Sequence, residues 1–240
     1  MGALPQQRPQ GAIQPIEQGR SAQHVETVIV LRRVEHWQST SGGPMAAAPQ
    51  MPDHPLTIAE YAALGEVESG FTELVEGTIV MSPGPIPRHI RASRELANQL
   101  DPQLPDHLEV LQELDVDLEF MAPDEPGSSR RPDLAVVLRS AAERVDDKGG
   151  MVGASEVLIA IEIVSPSSRR TDNVFKRIEY ADAEIPHYWI IDLREPISVV
   201  ACHLAGELGY QDPGDQTEIF TTTEPFELTI DLNRLGRPGR

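Results

Sequence analysis

Apolar and polar positions change rhythm several times along this chain of 240 residues, and each rhythm predicts a different element. LAVV (134–137) and VLIAIEIV (157–164) are continuous apolar runs, rich in β-branched residues. Pro, Gly and Ser bound them, so both read as strands covered on both faces. Residues 108–120 instead alternate. Val110, Gln112, Leu114, Val116, Leu118 and Phe120 share one side, with Glu113, Asp115, Asp117 and Glu119 between them. That pattern predicts one half-exposed strand with its acids toward solvent. Residues 87–100 predict a helix burying Ile90, Leu96, Ala97 and Leu100, with Glu95 at the surface. TIAEYAAL (57–64) predicts a short helix in which Thr57 and Glu60 form a capping box. FTELVEGTIVMSPGP (71–85) predicts two strands turning near Glu76 and Gly77. HYWIIDL (187–193), ISVVACHL (197–204), TEIFTT (217–222) and PFELTIDL (225–232) predict further strands. SAAERVDDKGGMVGASE (140–156) reads as a polar connector and a candidate flap.

Two acids interrupt the apolar runs: Asp133 opens the first and Glu162 lies near the end of the second. An acid in such a run is costly to bury unless something pairs with it. Two of them on adjacent strands suggest a shared cation. Antiparallel pairing would set the start of one strand beside the end of the other, bringing the carboxylates together. Ser165 and Pro166 break the second strand, and Asp172 is a good N-cap for a following helix. On that helix Asp172, Lys176 and Tyr180 share a face, leaving Val174, Phe175, Ile178 and Ala181 to pack on the sheet.

Net charge changes the picture. At −18 it argues against nonspecific nucleic-acid binding, which rests on a basic surface. The basic residues nevertheless gather around the two acids: Arg88, Arg91 and Arg94, then Arg130 and Arg131, then Arg169, Arg170, Lys176 and Arg177. Either they face a polyanion or they pair with the surplus acid. The only lysines are Lys148 and Lys176. An ammonium is a compact charge whose pKa shifts readily on burial, which a guanidinium cannot match. Lys176 is therefore a candidate for chemistry, and a chance surface lysine is the alternative. The single cysteine, Cys202, excludes an internal disulfide. With no apolar run of membrane length and no signal-like N-terminus, a cytoplasmic protein without membrane contact is expected. Residues 1–50 are rich in Gln, Pro, Gly and Ala and read as a disordered or non-native extension, with Met45 or Met51 as alternative starts.

Pro132-Asp133, then Glu162 on a strand, then a nearby lysine, resembles the PD-(D/E)XK nuclease superfamily. More closely, the chain resembles the Uma-two family of restriction-endonuclease-like proteins. The matching stretches are FTELVEGTIVMSPGP, RHIRASRELANQL, RRPDLAVV, IEIVSPSS, DNVFKRIEY and IPHYWIIDL, in the family's order across roughly residues 56–232. Where patterning alone indicates mixed α and β, the resemblance implies an α/β domain. Its core would be restriction-endonuclease-like (αβββαβ), with a mixed central sheet and extra strands at both ends. It further implies a metal-dependent endonuclease acting on DNA. Asp133, Glu162 and the backbone carbonyl of Ile163 (or Val164) would bind Mg²⁺ or Mn²⁺, and Lys176 would orient the attacking water. Val164 stands two residues after Glu162, where the superfamily usually has lysine, so the lysine must come from the next helix. The resemblance also brings Glu73, in an ELxxG element, and His89 toward the site. An edge-strand acid and a structural histidine are the alternatives for those two. A homodimer is implied at family level only. Three competing readings remain: a nuclease-derived binding module without catalysis, a two-carboxylate glycosidase, and plain structural pairing of Asp133 and Glu162 with arginines such as Arg131.

Overall fold

The computed structural model describes residues 29–30, 53–65, 71–82, 84–164 and 171–236. Apart from residues 29 and 30, the predicted extension lies outside these residues. So do the predicted break at Ser165 and Pro166, Arg169, Arg170 and the end of the basic tail, and the side chain of Asp172. In chain order the elements are β1 (Ile29–Val30), α1 (Ile58–Ala63), β2 (Phe71–Val75), β3 (Thr78–Ser82), α2 (Pro87–Leu100), β4 (Leu108–Gln112), β5 (Val116–Asp117), β6 (Ser129–Arg130) and β7 (Leu134–Leu138). Then come α3 (Arg139–Lys148), β8 (Val152–Gly153), β9 (Val157–Val164), α4 (Arg177–Asp182), β10 (His187–Asp192), β11 (Ser198–Leu204), β12 (Tyr210–Gln211), β13 (Gln216–Thr217), β14 (Ile219–Thr222) and β15 (Leu228–Asp231).

The central sheet runs β12-β11-β10-β9-β7-β4. It is mixed: β9 and β10 are parallel, whereas β7 pairs antiparallel with both β9 and β4. The series α2, β4, β7, β9, α4, β10 is the expected αβββαβ core, with α3 inserted between β7 and β9. The continuous apolar strands are covered on both faces, as their lack of alternation requires. On one face α2 and the β14–β15 hairpin bury Leu96, Leu100, Ile161, Ile163, Trp189 and Phe220. On the other, Tyr180 and Ile185 close over Ala160, Tyr188 and Ile190.

A second sheet, β1-β3-β2-β6-β5-β8, contributes to the site. Its β2–β3 hairpin turns on Glu76 and Gly77, both left-handed (φ 47 and 74). Two such residues in a two-residue loop match the twist of the strands they join. A Cβ on Gly77 would also sit 2.6 Å from the Pro55 Cβ, so glycine is required twice over.

Three expectations need correction. Residues 108–120 are not one strand. Glu113 turns left-handed (φ 53), so β4 stays in the central sheet and β5 joins the second. Residues 140–156 are not an irregular connector. They hold α3, whose one fully buried residue is Ala141 and which ends at Gly149 (φ 72), and then β8. Ile90 is exposed, because the buried residues of α2 begin at Ala92 and Ser93, on the face turned away from it.

Candidate active site

The β7–β9 register pairs Leu134 with Ile161, and one further step sets Asp133 opposite Glu162. The two acids nevertheless take different partners. Asp133 Oδ1 lies 2.8 Å from Nε2 of His89, in the first turn of α2, and Oδ2 accepts from the Ile163 N–H at 2.6 Å. Glu162 is 3% exposed. Its Oε1 accepts from Lys176 Nζ at 2.8 Å and from the Tyr180 hydroxyl at 3.0 Å. The same ammonium is 3.1 Å from Oε1 of Glu73, which β2 carries in from the second sheet. Glu73 Oε2 accepts from Arg130 Nη1 at 2.9 Å, and Oε1 from the Arg131 N–H at 3.1 Å. Arg130 then closes a two-pronged pair on Glu179 at 2.7 and 2.6 Å.

All five candidate side chains thus fall into one region, as two linked sets. One is Glu73–Lys176–Glu162; the other is His89–Asp133. Successive residues of β9 join them, Glu162 to the first and the Ile163 N–H to the second. The side chain of Ile163 itself lies in the core. Arg131 does not pair with Asp133. Its guanidinium grips Asp115 at 2.8 and 2.6 Å and lies over the Phe71 ring, so it meets the site only through its backbone.

The helix that delivers Lys176 is oriented opposite to expectation. Residues Thr171–Lys176 form a π-helical turn that runs into α4. Lys176 and Tyr180 do share a face, but it faces the sheet; of the four residues expected there, Ala181 packs against the core, whereas Val174, Phe175 and Ile178 are 46%, 49% and 55% exposed. The buried acids decide this. An unpaired carboxylate in the interior costs several kcal/mol, more than half-burying three apolar side chains returns. Local π winding of this kind is common at functional sites.

Glu73 and Arg130 keep their charges over the physiological range. Burial opposes ionisation of Glu73, but Lys176, Arg130 and the Arg131 N–H outweigh it and hold its pKa at about 2. Burial also opposes the Arg130 charge, and Glu179 and Glu73 more than offset it. Burial, reinforced by the Glu162 charge, raises the Tyr180 phenol well above its usual value, so it remains a donor. Among the described residues no three His, Cys, Asp or Glu side chains group closely enough to hold a metal ion. An ion here would rest on two carboxylates, a carbonyl, water and substrate. That hard oxygen set fits Mg²⁺, which is commonly held by one or two carboxylates and keeps its waters.

Arg130, Glu179 and Tyr180 have partners that sequence reasoning did not identify. The four-residue step from Lys176 to Tyr180 was a usable signal for the tyrosine. Nothing local marks Arg130 or Glu179, which are 49 residues apart in the chain.

A family model described as "Uma2: Putative restriction endonuclease" matches residues 58–233. Among solved structures, one titled a putative nuclease belonging to DUF820, from Anabaena variabilis, superposes with a TM-score of 0.57 at 21% identity. The match covers 75% of this chain and 97% of that one and shows the shared fold. No curated protein matches the chain.

Proposed function

The chain belongs to this Uma2 family of restriction-endonuclease-like proteins, and on that premise we propose that it is a metal-dependent endonuclease hydrolysing DNA phosphodiester bonds. The observation that carries the reading is Lys176, whose Nζ sits 2.8 Å from Glu162, on the strand that pairs with the one Asp133 precedes. Asp133 and Glu162, with the Ile163 carbonyl, are the groups that would hold Mg²⁺ or Mn²⁺. When bound, the ion supplies an acidified water and neutralises charge on the phosphate. The chain's own residues do the rest. Tyr180 fixes the Glu162 carboxylate. The Ile163 N–H and His89 fix Asp133. Lys176, held between two carboxylates, presents a donor to the attacking water or to a phosphate oxygen as charge develops there. Glu73 completes the lysine's cradle.

A second reading has its own support: each of the three carboxylates already has hydrogen-bond partners, as in a nuclease-derived module that only binds. Plasmid nicking separates the two. Purified protein is incubated with supercoiled DNA and Mn²⁺, beside Asp133→Ala, Glu162→Ala and a chelator control. Nicking that disappears in all three, with circular dichroism unchanged, is the expected result. Full activity in either variant overturns the site assignment. Metal-independent DNA binding that survives Glu162→Gln, with no nicking, favours the binding module.

A further inference from the structure

We infer that Arg130 is the positioning residue that locks Glu73 of the second sheet to α4, and so sets where Lys176 stands between its two carboxylates. Arg130 is 8% exposed, and its guanidinium touches no reacting group. It spends one prong on Glu73 and two on Glu179, so one planar group spans β2, β6 and α4. Glu179 immediately precedes Tyr180 and lies three residues after Lys176. Fixing Glu179 therefore fixes the stretch of chain that carries both donors to Glu162. Glu73 and Glu162 sit on different sheets, and without this link the side chain that bridges the two carboxylates is the flexible lysine. A lysine cannot replace the arginine. Its ammonium keeps the charge but lacks the flat fork that grips one carboxylate with two donors while a third reaches another. The inference rests on the reading of this site as a nuclease centre, but it can be tested apart from cleavage.

The two lysines supply the test. Lys148 is exposed at the end of α3 and Lys176 is 7% exposed. Brief acylation with an amine-reactive ester, followed by peptide mass spectrometry, reads both in one sample. Arg130→Lys and Glu179→Gln are compared with wild type, and with Phe220→Leu, a core change on the other face of the sheet that loosens the fold generally. The expected result is that Lys176 reacts at least about tenfold faster in the two site variants, through local opening. Lys148 stays unchanged, and Phe220→Leu leaves Lys176 protected. If Arg130→Lys does not fold, Glu179→Gln carries the measurement. Unchanged Lys176 protection in the site variants overturns the inference, and so does an equal gain in Phe220→Leu. Cleavage forms a separate arm, in which Arg130→Lys lowers kcat and leaves KM unchanged. If wild type cuts no DNA under any metal condition, the nuclease reading falls while the labelling still decides the role of Arg130.

Discussion

Glu73 shows what a single residue does here. Read along the chain, it is an acid in a strand near a sheet edge. In the fold it is a buried anion between Lys176 and Arg130, with a pKa held at about 2 against an ordinary 4.5. A carboxyl whose folded pKa is depressed stabilises the protein above its unfolded pKa and loses that contribution as pH falls toward the folded value. The window here runs from about pH 4.5 down to about 2. The contribution is on the order of 3 kcal/mol, since a tenfold change in proton affinity is worth about 1.4 kcal/mol. Glu73→Gln should flatten the fall in stability across that window, measured by urea denaturation at several pH values. It should also lower stability at pH 7, because two buried cations lose a partner. An unaltered pH dependence would show that Glu73 is not the anion described. At this scale Asp133, Glu162, Lys176, Glu73 and His89 were legible because each is an odd residue type for its surroundings or matches a family motif. Arg130 was not legible: in a chain with eighteen arginines no single one stands out.

At the scale of elements, period was readable and orientation was not. The spacing from Lys176 to Tyr180 placed both on one helix face, correctly, and hydrophobicity then chose the wrong face to bury. Substitution can confirm the inversion. Phe175→Ser and Ile178→Ser should each cost little, within about 0.5–1 kcal/mol, as half-exposed positions do. Tyr180→Phe keeps the ring's edge-to-face contact with Tyr188 at 5.1 Å but removes a buried donor to a charged acceptor, and should cost about 1.5–3 kcal/mol. The reverse order in chemical denaturation would return the apolar face to the core. The same limit explains the missed turn at Glu113. Alternation predicted a continuous strand because a left-handed residue leaves no mark on a pattern of polar and apolar letters. It explains α3 as well, whose good helix formers fully bury a single alanine.

On the whole-molecule scale, charge is the main constraint. Several of the arginines that gather near the site are already engaged. Arg131 pairs with Asp115, Arg177 with Asp212 at 2.6 Å, and Arg88 with Glu195 at 3.6 Å and with the Leu193 carbonyl. Arg91 and Arg94 remain on the exposed face of α2. With a net charge of −18, this protein should hold random duplex DNA more weakly than about 10⁻⁴ M at physiological salt, the weak end of ordinary nonspecific binding. Fluorescence anisotropy without divalent ions measures this, and micromolar binding would refute it. No helix of the described residues is long and apolar enough to cross a membrane. The sequence by itself determined most strands of the central sheet, three of the four α-helices and the family. Those properties follow from local period and from motifs a few residues long. Only the tertiary structure decided that two sheets meet at one lysine, which helix face turns inward, and which arginine binds which acid. Those choices are settled by the cost of leaving a buried charge without a partner, and the partners lie far apart along the chain, Arg130 57 residues from Glu73 and Lys176 further still.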